Sequence, residues 1–158
     1  MTAMTIFERQ LDVPVPRDVL HDWHMRQGAF ERLSAPWESI RHVHADPVAN
    51  GAKRVFEVKK GGVWLRWIAD HRDVVPPERF TDVQERGPFK RWAHTHRFET
   101  RGEARSRLID HIDYAVPMGG LGRALAGSSA RIGSRSSMPR CRLTSFRFGC
   151  TCSPSRVG

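Results

Sequence analysis

Four titratable residues, Asp82, His94, His96 and Asp110, fall where a strand pattern aims them at an apolar interior. The stretch from Phe80 to Phe98, FTDVQERGPFKRWAHTHRF, reads as two strands joined at Arg86-Gly87-Pro88-Phe89. Gly tolerates unusual dihedrals in such a break, and Pro cannot donate a ladder hydrogen bond. Side chains alternate along a strand, so Phe80, Asp82 and Gln84 share one face of the first strand. On the second, Trp92, His94, His96 and Phe98 share a face, while Arg91, Ala93, Thr95, Arg97 and Glu99 take the other. Most of the latter want water. The face of Trp92 and Phe98 therefore turns inward and carries two histidines with it.

A third strand, Arg105–Val116, places Leu108, Asp110, Ile112 and Tyr114 on one face. A tight turn at Gly102, pairing Thr100 with Ala104, sets His94 opposite Asp110 and Trp92 opposite Ile112. Pairing Gln84 with Trp92 sets Asp82 opposite His94 from the other side. An imidazole between two carboxylates has its tautomer fixed and its pKa raised. Such a pair in an apolar cavity is an acid/base device, with His94 as base and Asp82 or Asp110 as its orienter. The blander reading, a satisfied polar layer inside a large cavity, carries more weight, since no nucleophile with an activating partner accompanies the pair.

His94 and His96 also put two imidazoles on one strand face, as some metal sites require, with a third ligand owed by Asp82 or Asp110. Strand H-x-H pairs are common and nothing else shows ligand spacing. The expectation is no metal and no cofactor. Cys150-Thr151-Cys152 reads as incidental thiols, and Gly119-Gly120-Leu121-Gly122 lacks the spacing of a phosphate loop.

These residues need a sheet to hold them, and the rest of the chain supplies one. Thr5–Val13 alternates weakly as an opening strand, and Pro16 suits the first position of a helix running through Met25. Val19, Leu20, Trp23 and His24 give that helix its apolar spacing. A second short helix follows Gly28 at Ala29–Leu33, then Ala35-Pro36-Trp37 breaks it, with Trp37 as a core anchor. Ser39–Ala45, Lys53–Lys59 and Val63–Val75 read as strands separated by Asn50-Gly51 and Gly61-Gly62. In the last of these both alternating sets contain tryptophan, so its inward face stays open. The order is α+β: a strand, two short helices, then about six antiparallel strands. A sheet of that kind asks for a long C-terminal helix to cover its apolar face, and residues 121–125 could only begin one.

The 158 residues suit one domain, with 39% hydrophobic and 27% charged residues. The formal charge of +9 is misleading. Residues 128–158 hold six arginines and no acid, which leaves the body at +3. That segment, rich in Ser, Arg, Gly and Pro and holding all three cysteines, carries no helical apolar stripe. It reads as a solvated, disordered extension or as the product of a shifted reading frame, which in GC-rich DNA yields such mixtures. Nucleic-acid binding is therefore not expected from the charge. No apolar run is long enough to span a membrane and Met1–Gln10 lacks a signal-peptide core, so a soluble cytoplasmic protein is expected.

Several short motifs resemble the START-like ligand-binding superfamily known as SRPBCC. They are Gly28-Ala29-Phe30-Glu31-Arg32-Leu33, Pro36-Trp37-Glu38, Phe80-Thr81-Asp82-Val83-Gln84, Gly87-Pro88-Phe89, then Trp92, His94, His96-Arg97-Phe98 and Asp110–Tyr114 with Pro117. The likeness is to the bacterial cyclase/dehydrase-like branch found alone or fused to an epimerase-like domain. It covers residues 4–127 and is most specific from Phe80 to Phe98; residues 128–158 depart from the pattern. The resemblance implies a helix-grip fold, a seven-stranded sheet curled around a long C-terminal helix with a lipophilic ligand between them. On that reading Phe80, Trp92, Phe98, Ile112 and Tyr114 form apolar walls. Asp82, Gln84, His94, His96 and Asp110 orient the ligand's polar end. The runner-up is a cyclase- or dehydratase-like enzyme acting on a polyketide-like substrate, with His94 as general base.

Overall fold

The computed structural model describes residues 4–34 and 38–117. The expectations for Trp37, for a C-terminal helix and for the 128–158 segment lie outside the described residues. Within them the chain runs β1 (Thr5–Val13), α1 (Arg17–Met25), α2 (Ala29–Leu33), β2 (Ile40–Ala45), β3 (Lys53–Lys60), β4 (Val63–Val75), β5 (Arg79–Arg86), β6 (Arg91–Thr100) and β7 (Ser106–Ala115). All neighbouring strands pair antiparallel in one curved seven-stranded sheet of order β1-β7-β6-β5-β4-β3-β2. The architecture is α+β, as the pattern of elements predicted. No helix among the described residues is long and apolar enough to cross a membrane.

The hairpins form because the breakers sit where the chain must reverse. Gly61 and Gly62 both hold positive φ, 56° and 84°, between β3 and β4, a conformation that costs residues with a Cβ. At the head of α1, Pro16 stands one residue earlier than expected, as the N-cap, and its carbonyl accepts the Leu20 N–H at 3.1 Å.

The inward stripe of α1 differs from the predicted one. Leu20, His21 and His24 are buried, whereas Val19 is 40% exposed. Leu20 and His24 lie one turn apart and His21 sits three before His24, so all three share the face toward the sheet. That face packs on β6 and β7, where Leu20 joins Phe80, Phe98 and Leu108 in an apolar cluster. A second cluster, Phe56, Val58, Trp67 and Ala69, takes Phe30 of α2 and Trp92 at its edge. The face of β4 left open by its two tryptophans is thereby decided. Trp67, Ala69 and His71 point inward, and Trp64 lies on the other face with the Arg41 guanidinium 3.8 Å above its ring.

The register between β6 and β7 also corrects the sequence reading. Thr100 pairs with Ser106, not Ala104, so His96 stands opposite Asp110, His94 opposite Ile112 and Trp92 opposite Tyr114. The loop holds five residues, closed by the Arg101 N–H donating to the Arg105 carbonyl at 2.8 Å. A shift of two residues keeps every side chain on its face. Asp110 therefore stays inward with the histidines. Between β5 and β6, Asp82 pairs with His94 as expected.

Candidate functional site

Along β6 the inward residues run Phe98, His96, His94, Trp92, from the apolar cluster under α1 toward the one around Trp67. The two histidines occupy the gap between those clusters. Their rings approach to 3.9 Å between centroids, and His96 also stacks on Phe80 at 4.5 Å. Asp110 serves both: its Oδ1 accepts from His96 Nδ1 at 2.8 Å and from His94 Nε2 at 3.2 Å. On the other side of His96, Nε2 stands 3.6 Å from Asp82 Oδ2, an ion-pair distance too long for a good hydrogen bond. Asp82 in turn contacts Nδ1 of His71, its cross-strand neighbour on β4. The result is a chain, His71–Asp82–His96–Asp110–His94, across four strands.

The histidine flanked by two carboxylates is thus His96, not His94 as the expected register had it. Burial alone would lower the His96 pKa, but Asp110 and Asp82 overcome it and push the value up to about 9. His96 is therefore an imidazolium with a carboxylate at each nitrogen. His94 shifts the opposite way from the sequence expectation. Burial and the adjacent charged His96 lower its pKa against the pull of Asp110, leaving it neutral. Because a carboxylate can only accept, Asp110 fixes the N–H of neutral His94 at Nε2 and leaves the lone pair on Nδ1. Burial tends to raise the carboxyls of Asp82 and Asp110, yet their histidine partners hold both well below the usual range. Both are anions.

Three more histidines belong to this region: His71 ends the chain on β4, and His21 and His24 face it from α1; of these only His24 was expected, as part of the helix's apolar spacing. His71 is the most buried large side chain among the described residues, 1% exposed. The signal for it was its place two and four residues beyond Ala69 and Trp67, once β4's inward face is known. His24 donates from Nδ1 to the Leu20 carbonyl at 2.8 Å, and burial drops its pKa to about 4. Its Nε2 therefore carries a bare lone pair, and that atom finds no hydrogen-bond partner among the described residues. Its ring centre lies 6.2 Å from that of His96. His21, on the same helix face, sets its ring edge-on to Phe98 at 5.4 Å.

The remaining predicted site residues divide. Phe80 and Phe98 are fully buried beneath α1. Trp92, half-buried, meets Trp67 edge-to-face at 4.9 Å and His94 at 5.7 Å. Tyr114 and Ile112 are half-buried on the same inward face, with Tyr114 5.8 Å from Phe89. Gln84 is committed to the turn. Its Nε2 donates to the Phe89 carbonyl at 2.8 Å and its Oε1 accepts the Phe89 N–H at 3.3 Å. A surface groove of about 460 Å³ beside Arg17 and Gly102 shares no residue with the histidine chain.

No protein-family model and no curated protein sequence matches the chain. Solved structures do match it in fold. The Zhui aromatase/cyclase from Streptomyces sp. R1128 is similar over 83% of this chain and 87% of its own, with a TM-score of 0.65 and 16% identity. A START superfamily protein from Mycobacterium smegmatis is similar over 81% of this chain and 91% of its own, with a TM-score of 0.57 and 11% identity. Norcoclaurine synthase from Thalictrum flavum, solved with dopamine and hydroxybenzaldehyde, covers 86% of this chain and 91% of its own, with a TM-score of 0.54 and 12% identity. The chain has the SRPBCC, START-like fold.

Proposed function

We propose that the inward face of this sheet binds a lipophilic, aromatic small molecule bearing polar oxygens at one end. The observation that carries the reading is the row Phe98, His96, His94, Trp92 with Asp110 beside it, a charged cluster framed by aromatic rings. A carrier of apolar cargo needs walls that exclude water and a few fixed polar groups to orient the cargo. Trp92, Tyr114 and Ile112 supply accessible apolar surface. The His96 imidazolium offers positive charge, and His24 Nε2 offers a lone pair to a ligand hydroxyl. Titration with 2-naphthol and larger hydroxylated polycyclic aromatics, followed by tryptophan fluorescence and calorimetry, tests this. Saturable binding, weakened at least tenfold by Trp92→Ala, is the expected result. Binding unchanged by Trp92→Ala and by His94→Ala places the ligand elsewhere and defeats the proposal.

A second reading is favoured by one feature, the neutral His94 with its Nε2 proton held by Asp110. That arrangement leaves Nδ1 free as a general base, oriented by a carboxylate, as a cyclase- or dehydratase-like reaction on a polyketide-like substrate requires. His94→Ala separates the two readings. A variant that binds ligand but has lost a turnover seen in the parent supports the enzyme; parallel loss of both supports the carrier.

A further inference from the structure

We propose that His94, His96 and Asp110 form a binding site for a single divalent transition-metal ion, with zinc, cobalt or iron(II) as the fitting class. One ring nitrogen from each histidine and a carboxylate oxygen of Asp110 lie within 4.8 Å of one another. The two contacts to Asp110 are tighter than that limit: its Oδ1 is 2.8 Å from His96 Nδ1 and 3.2 Å from His94 Nε2. Ligand atoms about 2.0–2.1 Å from a tetrahedral zinc lie roughly 3.3 Å apart. An ion entering this cluster opens the two contacts to Asp110 by a few tenths of an ångström, takes the place of the protons now shared there, and draws the two ring nitrogens, now within 4.8 Å of each other, to ligand spacing.

The surroundings match a metal site beyond the three ligands. Asp82 faces the far nitrogen of His96 at 3.6 Å, and His71 braces Asp82 from β4. A carboxylate behind a ligating imidazole fixes its ring orientation and raises its basicity, the arrangement most metal-bound histidines show. Two of the ligands lie on β6 and the third is the direct cross-strand partner of one of them, so the sheet itself sets their separation. Two imidazoles with one carboxylate favour zinc, cobalt or iron over calcium and magnesium, which prefer all-oxygen cages. Three protein ligands also leave a coordination position free for an oxygen of a bound molecule.

The inference does not depend on the lipophilic ligand, since metal binding is measured without it. The full chain, stripped with a chelator, is titrated with Zn²⁺ by calorimetry and with Co²⁺ by visible absorption. One ion per chain is expected, lost at least a hundredfold in His94→Gln and Asp110→Asn, and weakened about 10–100-fold in Asp82→Asn. X-ray absorption on the zinc-loaded parent needs no variant to fold. It should show only nitrogen and oxygen at about 2.0–2.1 Å, with an imidazole signature. Sulfur at about 2.3 Å, or binding abolished by serine at Cys141, Cys150 and Cys152, assigns the ion to the cysteines and overturns the proposal. So does the absence of any stoichiometric uptake. A failed zinc titration leaves the small-molecule reading intact.

Discussion

At the scale of single residues, the cluster is held by charge as much as by packing, and this makes it sensitive to pH. In metal-free protein kept in chelator, two histidines pull stability in opposite directions. His96 has its pKa raised to about 9 in the fold, above the ordinary histidine value near 6.5. Its contribution, about 3 kcal/mol by linkage, is complete below roughly pH 6.5 and is lost as pH rises through 9. His24 is lowered to about 4, so its neutral form favours folding above roughly pH 6.5 and that favour is lost as pH falls through 4. Stability should therefore peak at about pH 6–7. Denaturant titrations across pH should show His96→Gln flattening the alkaline limb and His24→Leu flattening the acid limb. Asp110→Asn should cost about 3–5 kcal/mol, because it leaves the buried His96 charge with only the more distant Asp82. An unfolding midpoint within experimental error of the parent would show that the cluster is not an ion-paired unit.

At the scale of elements, the central hairpin depends on a contact between a side chain and its own turn. Gln84 clasps the Phe89 backbone in both directions, and a Cβ placed on Gly87 would fall 2.3 Å from Gln84 Oε1. Gly87→Ala should therefore cost about 1–3 kcal/mol, and much less in a Gln84→Ala background; additive costs in thermal melts would refute the clasp. This hairpin was also the most legible part of the sequence. Alternation in two strands and a Gly-Pro turn were enough to predict which of Phe80, Asp82, Trp92, His94, His96 and Phe98 face inward. Register was less legible, because a loop's length cannot be read from the presence of Gly102 alone, and the five-residue turn moved β7 by two positions. The shift left the faces correct and exchanged the partners, so His96 took the role expected of His94. His71 escaped notice because β4 carries tryptophan on both faces, and only packing against Phe56 and Phe30 decides between them. His21 was hidden by Val19, an apolar residue that the helix turns outward.

At the scale of the whole molecule, the described residues form seven strands and two short helices with one inward face, on which two apolar clusters flank a chain of five ionisable side chains. Burying such groups is costly, and among the described residues His71 Nε2 finds no hydrogen-bond partner, so their retention here is the feature a ligand with polar and apolar parts would account for. Removing the apolar support should affect the fold before the site: Phe98→Ala, at 2% exposure beneath α1, should cost about 3–5 kcal/mol in chemical denaturation. A cost under about 1 kcal/mol would mean that this cluster is not the core. Ligand binding on the inward face is tested most directly by following the histidine ring signals by NMR while a hydroxylated polycyclic aromatic is added. If the ligand lies on this face, His94 and His96 shift saturably and together, while the outward His44 and His111 do not move. Shifts confined to His44 or His111, or saturable binding that leaves His94 and His96 in place, would contradict it.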